Sequence, residues 1–460
     1  MFGWFKKEEK PKEIENIVVD NVFQKICKYI DLGKNIFITG GAGTGKSYTL
    51  SKLKEFYGDE LIVTSTTGIS ALNVNGQTLH SWAGIGIADK PIEQTVKKIK
   101  KNPILYKQLI LCKKLAIDEI SMLDNKTFEY VDKVLQQIRE NDLPFGGIQV
   151  IIIGDFFQLP PVKIDDGNKD FCFISKTWSD LNLITVILKS VKRQTDPRFV
   201  EALNNVRIDK TSINDLKVFY ECDKPAAYEI DKNILRIFGT NSDADSYNQK
   251  CFNEITSEPY LYETFDNLYQ YSLIDDSCTI IKMDDEGQKK ITEKDAHCLK
   301  QFDRDCKAPL KLELKEGCRV MLLKNLNIKQ GLVNGTCGTI QMLTSASIDV
   351  LFDNGIRLNL TPAEFEYTQD GRTKIIRKQY PLRLAYGITI HKSQGMTFDK
   401  LVVNFNKIFD YGQAYVALSR TKSLEGLIIK GFDHNKIRAN EKVIKFYREL
   451  ENDENCKIFD

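Results

Sequence analysis

Gly40-Gly-Ala-Gly-Thr-Gly-Lys46-Ser47 follows directly on the apolar run 35–39. The spacing is G-x-x-x-x-G-K-S between an expected strand and an expected helix. Glycines in this pattern let backbone N–H groups turn around phosphate oxygens. The lysine reaches the β- and γ-phosphates, and the next hydroxyl can ligate Mg²⁺. A glycine-rich turn without a ligand would not need Lys46 and Ser47 after its last glycine. Gly41, Gly43, Thr44, Gly45, Lys46, Ser47 and the adjoining Tyr48 are therefore candidate nucleoside triphosphate contacts.

Such a loop needs acids. Leu115-Ala-Ile-Asp118-Glu119 is an apolar run ending in a pair of them. Asp118 is suited to hold Mg²⁺ and Glu119 to orient and activate a water. A third apolar run ends in Gly154-Asp155-Phe-Phe-Gln158-Leu-Pro160-Pro161. Gln158 can bond a γ-phosphate or the water, and two prolines fix the turn behind it. Arg193 and Arg420 stand out downstream. An arginine delivered from another domain stabilises charge on a transferring phosphoryl group. Alone, each also reads as a surface residue.

These residues need strands to hold them. Candidate strands at 35–39, 61–65, 114–117 and 149–153 alternate with helical stretches, as in a parallel α/β sheet. Ligands of such sheets sit at the carboxyl ends of the strands, where these motifs fall. Phe128, Val131, Leu135 and Ile138 share one face of a helix expected over 125–140, with Asp124 as its N-cap. A second α/β pattern has candidate strands at 234–239, 382–390, 400–405 and 426–430. Between its first two strands lies a stretch with hairpin signals at Asn334-Gly335, Asp353-Asn354-Gly355 and Asp370-Gly371. It reads as a mainly β insertion.

The 460 residues leave room for several domains, and 42% hydrophobic with 28% charged residues is an ordinary globular balance. A net charge of +2 means that a nucleic-acid site would have to be a local basic groove. No run of apolar residues is long enough to span a membrane. The first ten residues lack a signal-peptide core and read as a disordered tail. Eleven cysteines, an odd number with no C-x-x-C, argue against a disulfide framework and for a reducing compartment. His297, Cys298 and Cys306 are too sparse for a zinc site.

Thr67-Gly-Ile-Ser-Ala-Leu-Asn73 with Gly76-Gln-Thr78-Leu-His80-Ser81 resembles motif Ia of the PIF family of DNA helicases, in superfamily 1B. The loop 40–47 is similar to the family's motif I, Asp118-Glu119-Ile-Ser-Met122 to motif II, and 154–161 to motif III. Thr389-Ile-His391-Lys392-Ser393-Gln394-Gly-Met-Thr397 resembles motif V, and Gln413-Ala-Tyr415-Val-Ala-Leu-Ser-Arg420 resembles motif VI. The segment from Asp124 to Pro144-Phe-Gly-Gly-Ile-Gln149 resembles the signature that separates this family from RecD-type relatives. Leu332-Val-Asn334-Gly335 with Gly338 resembles its SH3-like insertion. The resemblance runs from about residue 20 to 430. Val191-Lys192 precede Arg193 where the family often has an aromatic residue.

The resemblance implies two RecA-like parallel-sheet domains with small insertions. The first would cover 1–192, with an insertion at about 70–112. The second would cover 193–254 and 381–460, interrupted by the β-rich SH3-like insertion at 255–380. It implies ATP and Mg²⁺ as cofactors, with Gln24 on adenine. Lys46, Ser47, Asp118, Glu119 and Gln158 would serve phosphates, metal and water, and Arg193 and Arg420 would act as arginine fingers. Thr67, Asn73, His80, Ser81, His391, Lys392 and Ser393 would line a single-stranded DNA track. The implied activity is 5′→3′ movement on single strands, with unwinding of 5′-tailed duplexes and of G-quadruplex DNA. A compact bacterial-type, cytoplasmic, monomeric enzyme without an obligate protein partner is the matching expectation. Two other readings stay open: a RecD-like subunit of a recombination complex, and an ATP-gated DNA-binding remodeller that does not unwind.

Overall fold

The structure is a computed structural model that describes residues 21–73, 76–161, 170–224, 231–271, 278–283, 291–306, 308–327, 329–369 and 373–459. The first ten residues, the Asp370-Gly371 turn and the side chain of His297 lie outside the described residues.

Ile36–Gly40, Gln149–Ile153, Lys114–Asp118 and Leu61–Ser65 are the central strands of one parallel sheet. Its full order is Cys456–Phe459, Ile184–Leu188, Ile36–Gly40, Gln149–Ile153, Lys114–Asp118, Leu61–Ser65, Gln77–Thr78. Parallel strands are covered on both faces, so they read as continuous apolar runs. Alternation along them still sorts two cores. Ile36, Ile38, Ala116, Ile151 and Ile153 face the helices Asn21–Asp31 and Lys46–Tyr57. Phe37, Leu115, Ile117, Val150 and Ile152 face the other side, where Asn125–Arg139 buries Phe128, Val131, Leu135 and Ile138. Asp124 caps that helix by accepting from the Thr127 N–H at 2.9 Å. The helices Leu79–Ala83, Ile92–Lys100 and Pro103–Leu111 bury Trp82, Ile99 and Leu109 in this same core. The stretch expected as an insertion at 70–112 is thus continuous with the first domain's packing.

The second parallel sheet has the order Gly387–Thr389, Arg236–Phe238, Leu401–Asn404, Leu427–Lys430. The run 382–390, expected as one strand, is two. Leu382–Leu384 pairs antiparallel with Arg319–Leu322 of the insertion, and only Gly387–Thr389 joins the second sheet. Asn248 holds the break, its Oδ1 accepting from the Tyr386 and Gly387 N–H groups. The insertion carries a five-stranded antiparallel sheet, Arg357–Leu360, Ile348–Phe352, Cys337–Leu343, Arg319–Leu322, Leu382–Leu384. A four-stranded antiparallel sheet and the helix Glu293–Asp305 stand beside it.

A second correction concerns the end of the chain, expected in the second domain. Residues 441–459 return to the first. Glu441–Glu451 packs Val443 and Tyr447 into the first core, and Cys456–Phe459 pairs with Ile184–Leu188 as an edge strand of the first sheet. The two sheets are therefore joined by chain crossing twice.

Candidate functional site

The loop 40–47 leaves the strand Ile36–Gly40 and enters the helix Lys46–Tyr57. Gly43 has φ 80°, in the region that favours glycine, and a Cβ there would lie 2.6 Å from Arg193 Cβ. Thr44 Oγ1 donates to the Gly41 carbonyl. The Lys46 ammonium folds back over the loop, donating to the Gly40 and Gly41 carbonyls at 2.7 and 2.9 Å. Burial lowers its pKa, while Asp155 and Glu119 work against that. Tyr48 is exposed on the helix, and Gln24 is exposed on Asn21–Asp31.

Asp118 and Glu119 end the strand Lys114–Asp118. Burial, then the Glu119 charge, push the Asp118 carboxyl up to about 7. One Asp118 oxygen accepts the Glu119 N–H at 2.9 Å, and the other makes no hydrogen bond among the described residues. An open carboxylate oxygen at the end of this strand and the Ser47 hydroxyl at the start of the phosphate-loop helix are donors of the kind that Mg²⁺ takes, one or two protein oxygens beside phosphate and water. Among the described residues no cluster of three His, Cys, Asp or Glu side chains could hold a metal by itself. Glu119 sits at φ 53°, an uncommon conformation for a side chain of this size. Burial raises its pKa too, opposed by Lys46, Arg420 and the hydrogen bond from Gln394.

The two expected arginines come together from distant parts of the chain. Arg193 Nη1 donates to the Ser419 carbonyl at 3.1 Å, and Arg420 is 2% exposed. The Arg420 guanidinium donates to the Val416 carbonyl, the Ser419 hydroxyl and the Met396 carbonyl. Burial and the nearby Arg193 push Arg420 down to about 9. Two desolvated cations that repel each other thus lie together with Glu119 as counter-charge, an arrangement whose chemistry suits an anionic ligand.

Three further residues were not given roles from sequence. Tyr415, in the string resembling motif VI, puts its hydroxyl 2.6 Å from the Ala42 N–H of the phosphate loop and accepts from it. Burial and Asp155 push that phenol up to about 12. Gln394 donates to Glu119 Oε2 at 2.9 Å and to Gln158 Oε1 at 3.4 Å. Arg207, on the helix Pro197–Arg207, grips both Asp155 oxygens at 2.7–3.2 Å. Its guanidinium lies over the rings of Phe157 and Tyr447, 4.5 and 5.1 Å from their centroids. Burial opposes the Asp155 charge, but Arg207 outweighs it and holds that carboxyl below its usual range. Tyr415 and Gln394 stood inside motif strings. No local signal marked Arg207.

The residues expected on the DNA track divide. Thr67 is half-buried and caps the helix Gly68–Asn73, accepting from the Ser70 N–H. The side chain of Asn73 lies outside the described residues. His80 and Ser81 are half-exposed on the helix Leu79–Ala83. His391 is exposed and Lys392 half-buried on the helix Ile390–Ser393. Ser393 is fully buried with its hydroxyl on the Ile390 carbonyl, so it shapes the turn instead of lining an open track. Arg383, which the sequence did not single out, stands beside Lys392. Burial lowers the pKa of both cations, the Arg383 charge lowers that of Lys392 further, and Asp245 works against the shift in both.

Residues 13–214 match the model of the family described as PIF1-like helicase, and residues 299–343 match the 2B domain of DNA helicase Pif1. The chain is 33% identical over 428 residues to the ATP-dependent DNA helicase PIF1 of Xenopus laevis, covering 91% of this chain and 62% of that protein. It thus spans about three fifths of that relative's length. Against the ATP-dependent DNA helicase Pif1 of Bdellovibrio bacteriovorus it is 33% identical, covering 91% of this chain and 89% of the relative. The crystal structure of Bacteroides sp Pif1 in complex with ADP-AlF4 superimposes with a TM-score of 0.79 at 30% identity, over 96% of this chain and 99% of that one. Identity at this level across nearly the whole of both chains, with the match to the family model over residues 13–214, makes the chain a member of the PIF1 helicase family.

Proposed function

We propose that this chain hydrolyses ATP with Mg²⁺ and uses the cycle to move 5′→3′ along single-stranded DNA, separating duplexes ahead of it. The observation that carries this reading is the cleft itself. The phosphate loop of the first sheet meets Tyr415 of the second through the Ala42–Tyr415 bond, and Arg193 and Arg420 converge beside Glu119. The names printed for its relatives, ATP-dependent DNA helicases, support the substrate pair.

In this reading Gln24 meets adenine, and Gly41, Gly43, Thr44 and Gly45 wrap the phosphates. Lys46 leaves the Gly40 and Gly41 carbonyls for the β- and γ-phosphates. Ser47 and Asp118 would hold Mg²⁺, which draws charge off the phosphate oxygens when bound. Glu119 takes a proton from the attacking water as its oxygen joins the γ-phosphorus and the bond to the β–γ bridging oxygen breaks. Arg193 and Arg420 stabilise the charge that spreads over the equatorial oxygens. Cleft closure on ATP and reopening after hydrolysis would move the DNA-facing residues of the two domains relative to each other. Action on G-quadruplexes rests on the family resemblance alone.

The test is ATP turnover with and without a thymidine oligonucleotide. Turnover should rise with the oligonucleotide, and Lys46→Ala should lose it by at least about 100-fold. An unstimulated wild type, or a fully active Lys46→Ala, contradicts the reading.

A further inference from the structure

Gln394 is the last link between the outward-facing helix Ile390–Ser393 and the acid expected to activate water. Its amide nitrogen donates to Glu119 Oε2 at 2.9 Å and lies 3.4 Å from Gln158 Oε1, and the residue is 4% exposed. It is the C-cap of that four-residue helix, its N–H bonded to the His391 carbonyl. The helix is short and internally tied. Thr389 Oγ1 accepts the Lys392 N–H, and Ser393 Oγ donates to Ile390 O. A displacement at His391 and Lys392 therefore reaches Gln394 through one turn of backbone. Two residues on, the Met396 carbonyl accepts from Arg420, and the Met396 side chain lies 3.5 Å from where a Cβ on Gly335 of the β insertion would stand. One loop touches both candidate catalytic charges and the insertion.

We infer that Gln394 is a positioning residue that restrains Glu119 until a nucleic-acid strand engages His391 and Lys392. The inference rests on the proposed roles of Glu119 in hydrolysis and of the 391–392 face in strand binding. While the amide occupies Oε2, that oxygen is a poorer proton acceptor and is aimed at the second domain instead of at a water. The left-handed backbone at Glu119 is a conformation held by its surroundings, so loss of the tie frees the side chain to turn. A hydrogen bond of this length is lost with a shift of under about 1 Å, so a small movement of the helix suffices. Strand binding would then switch hydrolysis on through the residue that follows the contact helix.

Gln394→Met keeps the length of the side chain and removes the donor. Its oligonucleotide-free ATP turnover should rise about ten-fold, the worth of one hydrogen bond to a charged group. Turnover saturated with a thymidine oligonucleotide should stay within about two-fold of wild type, so the stimulation ratio collapses while KM for ATP holds. Gln394→Leu, which also lacks a donor, should release Glu119 as well and serves if the Met variant folds poorly. Oligonucleotide-free turnover that is unchanged, or that falls in parallel with saturated turnover, overturns the inference. A wild type without stimulation would instead bring down the proposed function. A stimulated wild type with an equally stimulated Gln394→Met removes the restraint alone.

Discussion

At the end of the strand Lys114–Asp118, a carboxyl raised to about 7 by burial and by Glu119 has a cost in stability. Its ordinary value is about 3.9. Because the folded value lies above the unfolded one, the fold favours the neutral acid. That stabilisation is complete below about pH 4 and is lost as the pH rises through 7. Without metal at pH 8, Asp118→Asn should therefore melt higher than wild type, by about 3 °C, and the gap should close towards pH 4. Calorimetry at the two pH values reads this, and equal melting temperatures at pH 8 would contradict it. Lys46, Asp118, Glu119 and Gln158 were legible in the sequence because each follows an apolar strand with its own motif. Gln394 and Tyr415 act on groups 275 and 373 positions away. Such pairing is a property of the closed cleft and leaves no spacing to read.

The elements were legible where one run of residues has one set of partners. The strands Leu61–Ser65 and Gln149–Ile153 fall where their apolar runs are, and Asn125–Arg139 starts at its Asp124 cap. The run 382–390 misled because its halves pair with different sheets, a change of neighbour that hydropathy does not record. Cys456–Phe459 escaped because it is four residues long and only half-buried, and its partner lies far back in the chain. Its helix Glu441–Glu451 is tied in by Tyr447, whose hydroxyl bonds Thr39 at 2.6 Å and the Phe156 N–H at 3.2 Å. Tyr447→Phe keeps the ring stacked on Phe157 and Arg207 but cuts those ties. It should lower stability by about 1–2 kcal/mol, read as a fall in the urea midpoint. An unshifted midpoint would mean that this helix does not brace the loop that bears Gln158.

Across the whole molecule, the two parallel sheets are joined by chain crossing twice, and their loops meet through the Ala42–Tyr415 and Glu119–Gln394 bonds. Arg207 bonded to Asp155 lies where those crossings run close, as Ala439 N–H donates to Asp209 two residues beyond it. The helix bearing Arg207 packs Phe199, Leu203 and Val206 into the second core, whereas Asp155 follows a strand of the first sheet. This buried pair lies against the phosphate loop, where a Cβ on Gly41 would stand 3.9 Å from Arg207 Cδ, so it ties the two domains beside the Ala42–Tyr415 bond. In the proposed cycle, such interdomain ties can turn hydrolysis into stepping only if DNA is held by both domains. Strand separation on duplexes with a single 5′ or 3′ tail, by wild type and by Lys46→Ala, measures that most directly. The account predicts unwinding of the 5′-tailed duplex alone, abolished in Lys46→Ala. Equal unwinding from both tails, or unwinding by the variant, would contradict it.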